Sequence, residues 1–163
     1  MAGLTRKGAK GALLDVYEDA LFQLQESIKD VSDEELISVV LPDDPDEDSR
    51  SIQSILAHVV GSSYSYAIYI RSLKGTEYIR PDKKLRIKVA DYIQDLKDSF
   101  LFTLTVFNEI EDSNLEELDA SLKIMTRWKQ LYDIEQLTEH AIVHILRHTR
   151  QIEKFKILLD DRK

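Results

Sequence analysis

The chain has 163 residues, 43% of them hydrophobic and 32% charged, a balance typical of a soluble chain long enough to bury a core without covalent staples. It has no cysteine, which excludes disulfides, cysteine-based zinc fingers and a protein-supplied thiol nucleophile, and which fits a cytoplasmic location. The net charge of −8 argues against nucleic acid, which needs a basic face to displace counterions; no apolar run approaches the length of a membrane span, so no membrane partner is expected.

The N-terminal stretch MAGLTRKGAKGALLDVYED lacks an uninterrupted apolar core and reads as no secretory signal, and Ala2 breaks the myristoylation pattern. From Gly8 to Lys29, residues Leu13, Leu14, Tyr17, Ala20, Leu21, Leu24 and Ile28 recur at helical spacing and predict an amphipathic helix. Asp30 to Leu41 reads as a turn and a short segment, with Ser32 and Glu35 spaced as a capping box. The next nine residues, PDDPDEDSR, hold two of the three prolines and five acids; they read as a solvated loop that keeps the surface polar.

A second long helix is expected to open at Ser49 or Ser51 and run to Leu73, ending at Gly75. Its inward positions are Ile52, Ile55, Leu56, Val59, Tyr66, Ile70 and Leu73, and His58 lies in its first half. Gly61, Ser62 and Ser63 leave space beside that histidine. A connector ends at Pro81, and a third long helix is expected from Lys84 to Ile110, striped by Leu85, Val89, Tyr92, Ile93, Leu96, Phe100, Leu104 and Phe107. The basic cluster Lys83, Lys84, Arg86 and Lys88 falls at its start. Between Glu111 and Tyr132 the pattern weakens into a long connection with short local structure. No internal repeat or strand-rich section is present.

Asp133 to Leu159 reads as one long helix, with Asp133 as N-cap, Gln136 as its reciprocal partner and Glu135 placed for the helix dipole. Four long amphipathic helices in one domain over residues 1–163 give an all-α four-helix bundle, with a long connection before the last helix.

The last helix carries His140, His144 and His148 at steps of four. Such steps return to nearly the same face, but drift by about 40° each, so the three cannot converge on one ion. His144 and His148 hold seam positions where leucine would be expected, pointing into the core. Two imidazoles in an apolar seam cost stability unless their nitrogens are satisfied, and a divalent metal does this for both. Neutral imidazole suits zinc, nickel or ferrous iron rather than magnesium or calcium. The third ligand is open on this reasoning; His58 is the only other histidine, and a meeting of the second and last long helices would bring it there. His140 is left as pocket-lining, supporting or surface. Ile142, Val143, Ile145 and Leu146 make the middle of the helix apolar nearly all round, as for a helix buried on more than one side.

SIQSILAHVV in the second helix, a long third helix, a tryptophan-containing connection and HAIVHILRHTRQI in the last together resemble the DinB-like (DinB/YfiT) superfamily of four-helix-bundle proteins. The resemblance covers nearly the whole chain. It implies His58, His144 and His148 as the three metal ligands and matches Gln151 to a family glutamine; Thr149 and Arg150 depart from the family's usual Arg-Gly. It further implies a homodimer and thiol-dependent chemistry, either transfer of a bacillithiol-like thiol to an electrophile or isomerisation. Metal-bound water would make the same site a hydrolase. Tyr64, Tyr66, Gln151 and His140 are the candidate substrate-pocket residues. The alternative is a non-catalytic bundle, either a metal-stabilised scaffold or a small-ligand-binding or dimeric interaction module, in which the ion only holds the core.

Overall fold

The computed structural model describes residues 5–75 and 77–162. The protein is mostly helical, with four long helices, α1 (Gly8–Ile28), α3 (Ile52–Ser72), α4 (Val89–Phe107) and α5 (Ile134–Asp160), and one short helix, α2 (Asp33–Ile37). α1 packs on α5 and α4, and α3 packs on α4 and α5, so each long helix touches two others in a closed ring. The buried hydrophobic side chains form one cluster shared by all four, including Leu24, Ile28, Leu56, Val59, Tyr92, Leu96, Leu137 and Phe155.

The helix starts follow from side-chain chemistry. Asp133 accepts from the Gln136 amide at 2.8 Å while the Gln136 side chain accepts from the Asp133 amide at 3.2 Å, closing the expected capping box of α5. Ser32 and Glu35 close the other one expected, at α2. Ser51 caps α3 through Ser54, and the chain leaves that helix through Gly75 at a positive φ of 73°. α1 has no cap of its own. Asp112, about a hundred residues away, accepts from the amides of Ala9 and Lys10 at 3.0 Å each. Gly8 is needed there twice over: its φ is 78°, and a Cβ would sit 2.2 Å from the Asp112 carboxylate.

Three expectations need correction. α4 begins at Val89, not Lys84, and Leu85 lies outside it, more than half exposed. The preceding residues are held extended by other partners: the Arg86 amide donates to the Tyr92 hydroxyl at 3.1 Å, and the Val89 amide donates to Asp33 at 3.0 Å. Leu73 lies just past the end of α3, and is 46% exposed instead of buried. Val143 is exposed too, so α5 is buried through Ile142 and Ile145 on one broad side only.

The connection before α5 holds two single-turn 3-10 segments and a small antiparallel pair, β1 (Ile124–Met125) with β2 (Leu131–Tyr132). Lys129 in the turn takes a φ of 63°. Among the described residues no helix is long and apolar enough to cross a membrane.

The Asp133 cap is a test of how α5 is set. Its carboxylate is buried and also accepts from the Glu117 amide at 3.5 Å, which ties the connection to the helix start. Asp133→Ala should cost about 1–2 kcal/mol. For a chain of this size that lowers Tm by roughly 2–4 °C per kcal/mol, measurable by calorimetry. An unchanged Tm would show that the box contributes nothing.

Candidate metal centre

α3 and α5 pack side by side, and the contact brings together three histidines from two helices. One ring nitrogen from each of His58, His144 and His148 lies within 4.8 Å of the others. Nε2 of His144 stands 2.9 Å from Nε2 of His58 and 3.2 Å from Nε2 of His148. His148 is buried and His144 half-buried in the seam, while His58 lies at its edge.

The outer nitrogens decide what the inner ones can do. Nδ1 of His58 lies 3.1 Å from the Asp48 carboxylate, which can only accept, so the ring proton sits on Nδ1. Nδ1 of His148 lies 2.8 Å from Oε1 of Gln151 and donates to it. Both rings therefore present an Nε2 lone pair toward His144. A neutral His144 has at most one Nε2 proton to give, so it can satisfy one of the two and leaves the other facing a nitrogen with no proton to share. A cation among the three nitrogens satisfies all of them. Nitrogens about 2.0–2.1 Å from a tetrahedral zinc ion stand about 3.3 Å apart. The two short edges need shifts of only a few tenths of an ångström, and the His58–His148 edge, within 4.8 Å, must come to the same span.

A proton is a poor candidate for that cation. Burial, with the neighbouring His148 and His58 adding to it, pushes the His144 pKa down from its ordinary 6.5 to about 3. Burial also lowers that of His148, against an opposing pull from its bond to Gln151. Imidazoles kept neutral in a cluster are poised to bind metal.

Asp48 belongs to the acidic loop read from sequence as mere surface polarity, and that reading is corrected here. The loop is organised by its own carboxylates. Asp44 accepts from the Asp46 amide at 2.9 Å, and Asp46 from the Asp48 amide at 3.0 Å, forming a single 3-10 turn at Glu47–Ser49 just before α3. The turn aims Asp48 back at the helix, where it holds His58 and ion-pairs with Lys83. Burial alone would raise the Asp48 pKa; the Lys83 and His58 contacts outweigh it and keep the carboxylate below its usual range. A carboxylate ten residues before a helical histidine was the available signal, masked by four similar acids around it.

The other candidate residues divide. Gln151 lies behind His148 as its hydrogen-bond acceptor, where the sequence reading put it among pocket-lining groups. His140 stays apart from the trio, as the 40° drift requires. Its ring stacks on Trp128 at 5.4 Å, with Tyr132 OH 3.3 Å from Nδ1, and burial lowers its pKa. Tyr66, itself buried, fills the space between, with its ring 5.6 Å from that of His140 and 5.7 Å from that of His144. Tyr64 packs on Phe102 at 5.4 Å and faces a cavity of about 460 Å³ that reaches His58 and Asp48.

No protein-family model, curated protein or solved structure matches this chain.

Two outcomes are expected. Asp48→Ala frees the His58 ring and should weaken metal binding about 10–100-fold, read by competition with a chromophoric chelator; unaltered affinity would remove Asp48 from the centre. In metal-free protein, His144 takes up a proton on unfolding at any pH between about 3 and 6.5. Stability should thus be complete above pH 6.5 and fall on acidification, with a slope of up to about 1.4 kcal/mol per pH unit for each such histidine. Urea midpoints at pH 5 and 7.5 test the sign, and His144→Phe should flatten the dependence.

Proposed function

We propose that this chain is a DinB-like four-helix bundle whose His58, His144 and His148 hold one divalent ion, zinc, nickel or ferrous iron, for thiol-dependent chemistry on a small electrophile. The observation that carries the reading is the convergence of three Nε2 atoms whose outer nitrogens are fixed by Asp48 and Gln151. Three imidazoles leave a coordination position open, as in catalytic rather than structural zinc sites.

A divalent ion there supplies Lewis acidity, lowering the pKa of a thiol or water brought to it. The chain's own groups have separate tasks. Asp48 and Gln151 hold the ligand tautomers and ring directions. Tyr66 keeps water from the His144 side, and its hydroxyl stays protonated because burial raises its pKa. With no cysteine in the chain, a reacting sulfur must arrive with the substrate, as a bacillithiol-like thiol would. The reading extends to a homodimer, as the family resemblance implies, and to the cytoplasm, which the absence of cysteine fits.

A second reading is favoured by one observation: the centre links α3 to α5, so an ion there would crosslink two helices without any turnover. Elemental analysis and activity separate the two. Purified protein should carry about one divalent ion per chain, and His58→Ala or His144→Ala should lose it. Free ion at a hundred times Kd should stabilise the fold by about 2.7 kcal/mol, reversed by chelator. Thiol consumption with an electrophile panel should require the ion. Stoichiometric ion with no turnover would leave the crosslink alone; absence of ion binding would overturn both.

A further inference from the structure

The cavity of about 460 Å³ on the His58 flank has one wall that metal coordination does not account for. That wall is residues 80–86 of the segment between α3 and α4, an extended strap with no helix or strand. Unstructured connections of such length tend to be functional or disordered. This one is pinned. The Arg86 guanidinium grips Asp95 through two nitrogens at 2.8 and 2.9 Å, the Gln53 side chain donates to the Arg86 carbonyl at 2.9 Å, and Lys83 pairs with Asp48.

Pinning sorts the charges that line the cavity. Lys83 is matched by Asp48 and Arg86 by Asp95. Arg80 has only a 3.3 Å contact to the Ser65 hydroxyl. Among the described residues Lys84 and the Arg127 guanidinium have no hydrogen bond or ion pair, the Arg127 amide alone being used, by Tyr69. Of the carboxylates left, Asp98 accepts from neutral Gln94, which cancels none of its charge, and Asp82 lies on the strap. Among the described residues, three cations that no carboxylate pairs thus line the cavity beside two carboxylates that no cation pairs, a small positive excess in a chain whose net charge is −8. Across from the strap, Gly61, one turn after His58, brings the backbone of α3 close to Arg80: a Cβ there would meet Arg80 Nη1 at an ordinary contact distance of 3.9 Å.

We infer that this cavity binds the oxyanion end of a small molecule, a carboxylate or a phosphate, through Arg80 and Arg127 with Lys84 adding charge. Guanidinium forks match the planar carboxylate and the phosphate edge. The volume lies in the range of small-molecule sites and admits no macromolecule. Assigning the anion to the substrate of the metal centre rests on the proposed function; the anion site itself does not.

The test titrates succinate, and separately inorganic phosphate, into protein of measured metal content, following heat and the emission of Trp128, the one tryptophan and the neighbour of Arg127. Saturable binding of at least one probe is expected, and the tighter of the two names the oxyanion. Arg80→Ala and Arg127→Ala should each weaken it about tenfold or more, since neither guanidinium holds the fold by an ion pair. Lys154→Ala, on the exposed face of α5, should change nothing. No saturable binding of either probe, or binding unaltered in both arginine variants, overturns the inference. Stoichiometric metal without anion binding sinks the anion site alone, whereas arginine-dependent anion binding to protein that holds no metal sinks the proposed function and leaves the site standing.

Discussion

Two imidazole lone pairs, on His58 and His148, are aimed at the single Nε2 of His144 across the α3–α5 contact, and the rest of the site follows from how that conflict is resolved. In an apolar seam, unsatisfied polar atoms cost more than they would at the surface, and two imidazoles fixed as Nδ1–H tautomers cannot rearrange to escape it. The fixing groups lie on opposite sides: Asp48 ahead of α3 and Gln151 one turn beyond His148 on α5. Each ring must break its own outer bond before it can turn its other nitrogen inward. The geometry therefore selects for a cation at one place and favours a metal over a proton, because burial has already made His144 a weak base.

The rings are held in place by the packing of the two helices that carry them: Ile55, Leu56 and Val59 of α3 and Ala141, Ile145 and Ile152 of α5 are buried in the shared core around them, and each helix starts on a closed capping box. The asymmetry in burial also has a use. His148 is enclosed and Gln151-bound, and His58 stands at the rim with a charged partner, where it lines the cavity of about 460 Å³.

The helices and two of the capping boxes were legible in the sequence because local rules govern them: apolar periodicity and side-chain oxygens spaced to reach amides. The pair His144/His148 was legible for the same reason, since spacing within one helix is fixed by helix geometry. His58 required a tertiary contact, and it was reached only as the one histidine left over and through the family resemblance. What escaped was non-local. Leu85 looked like a stripe residue, yet Arg86 prefers Asp95 and Tyr92 to a helical turn, so the helix starts later. Asp48 was invisible among five loop acids because composition cannot tell which carboxylate a turn will aim inward. Asp112 capping α1 from across the chain has no local signature at all.

The Asp48–Lys83 pair joins what escaped to what did not. Asp48 has two oxygens and divides them: Oδ2 goes to the His58 ring and Oδ1 to the strap lysine. Both contacts oppose the burial that would raise the carboxylate's pKa and keep it ionised. The strap and the histidine cluster therefore share one charged group: the carboxylate that holds the outer nitrogen of His58 also fixes Lys83 at the cavity wall.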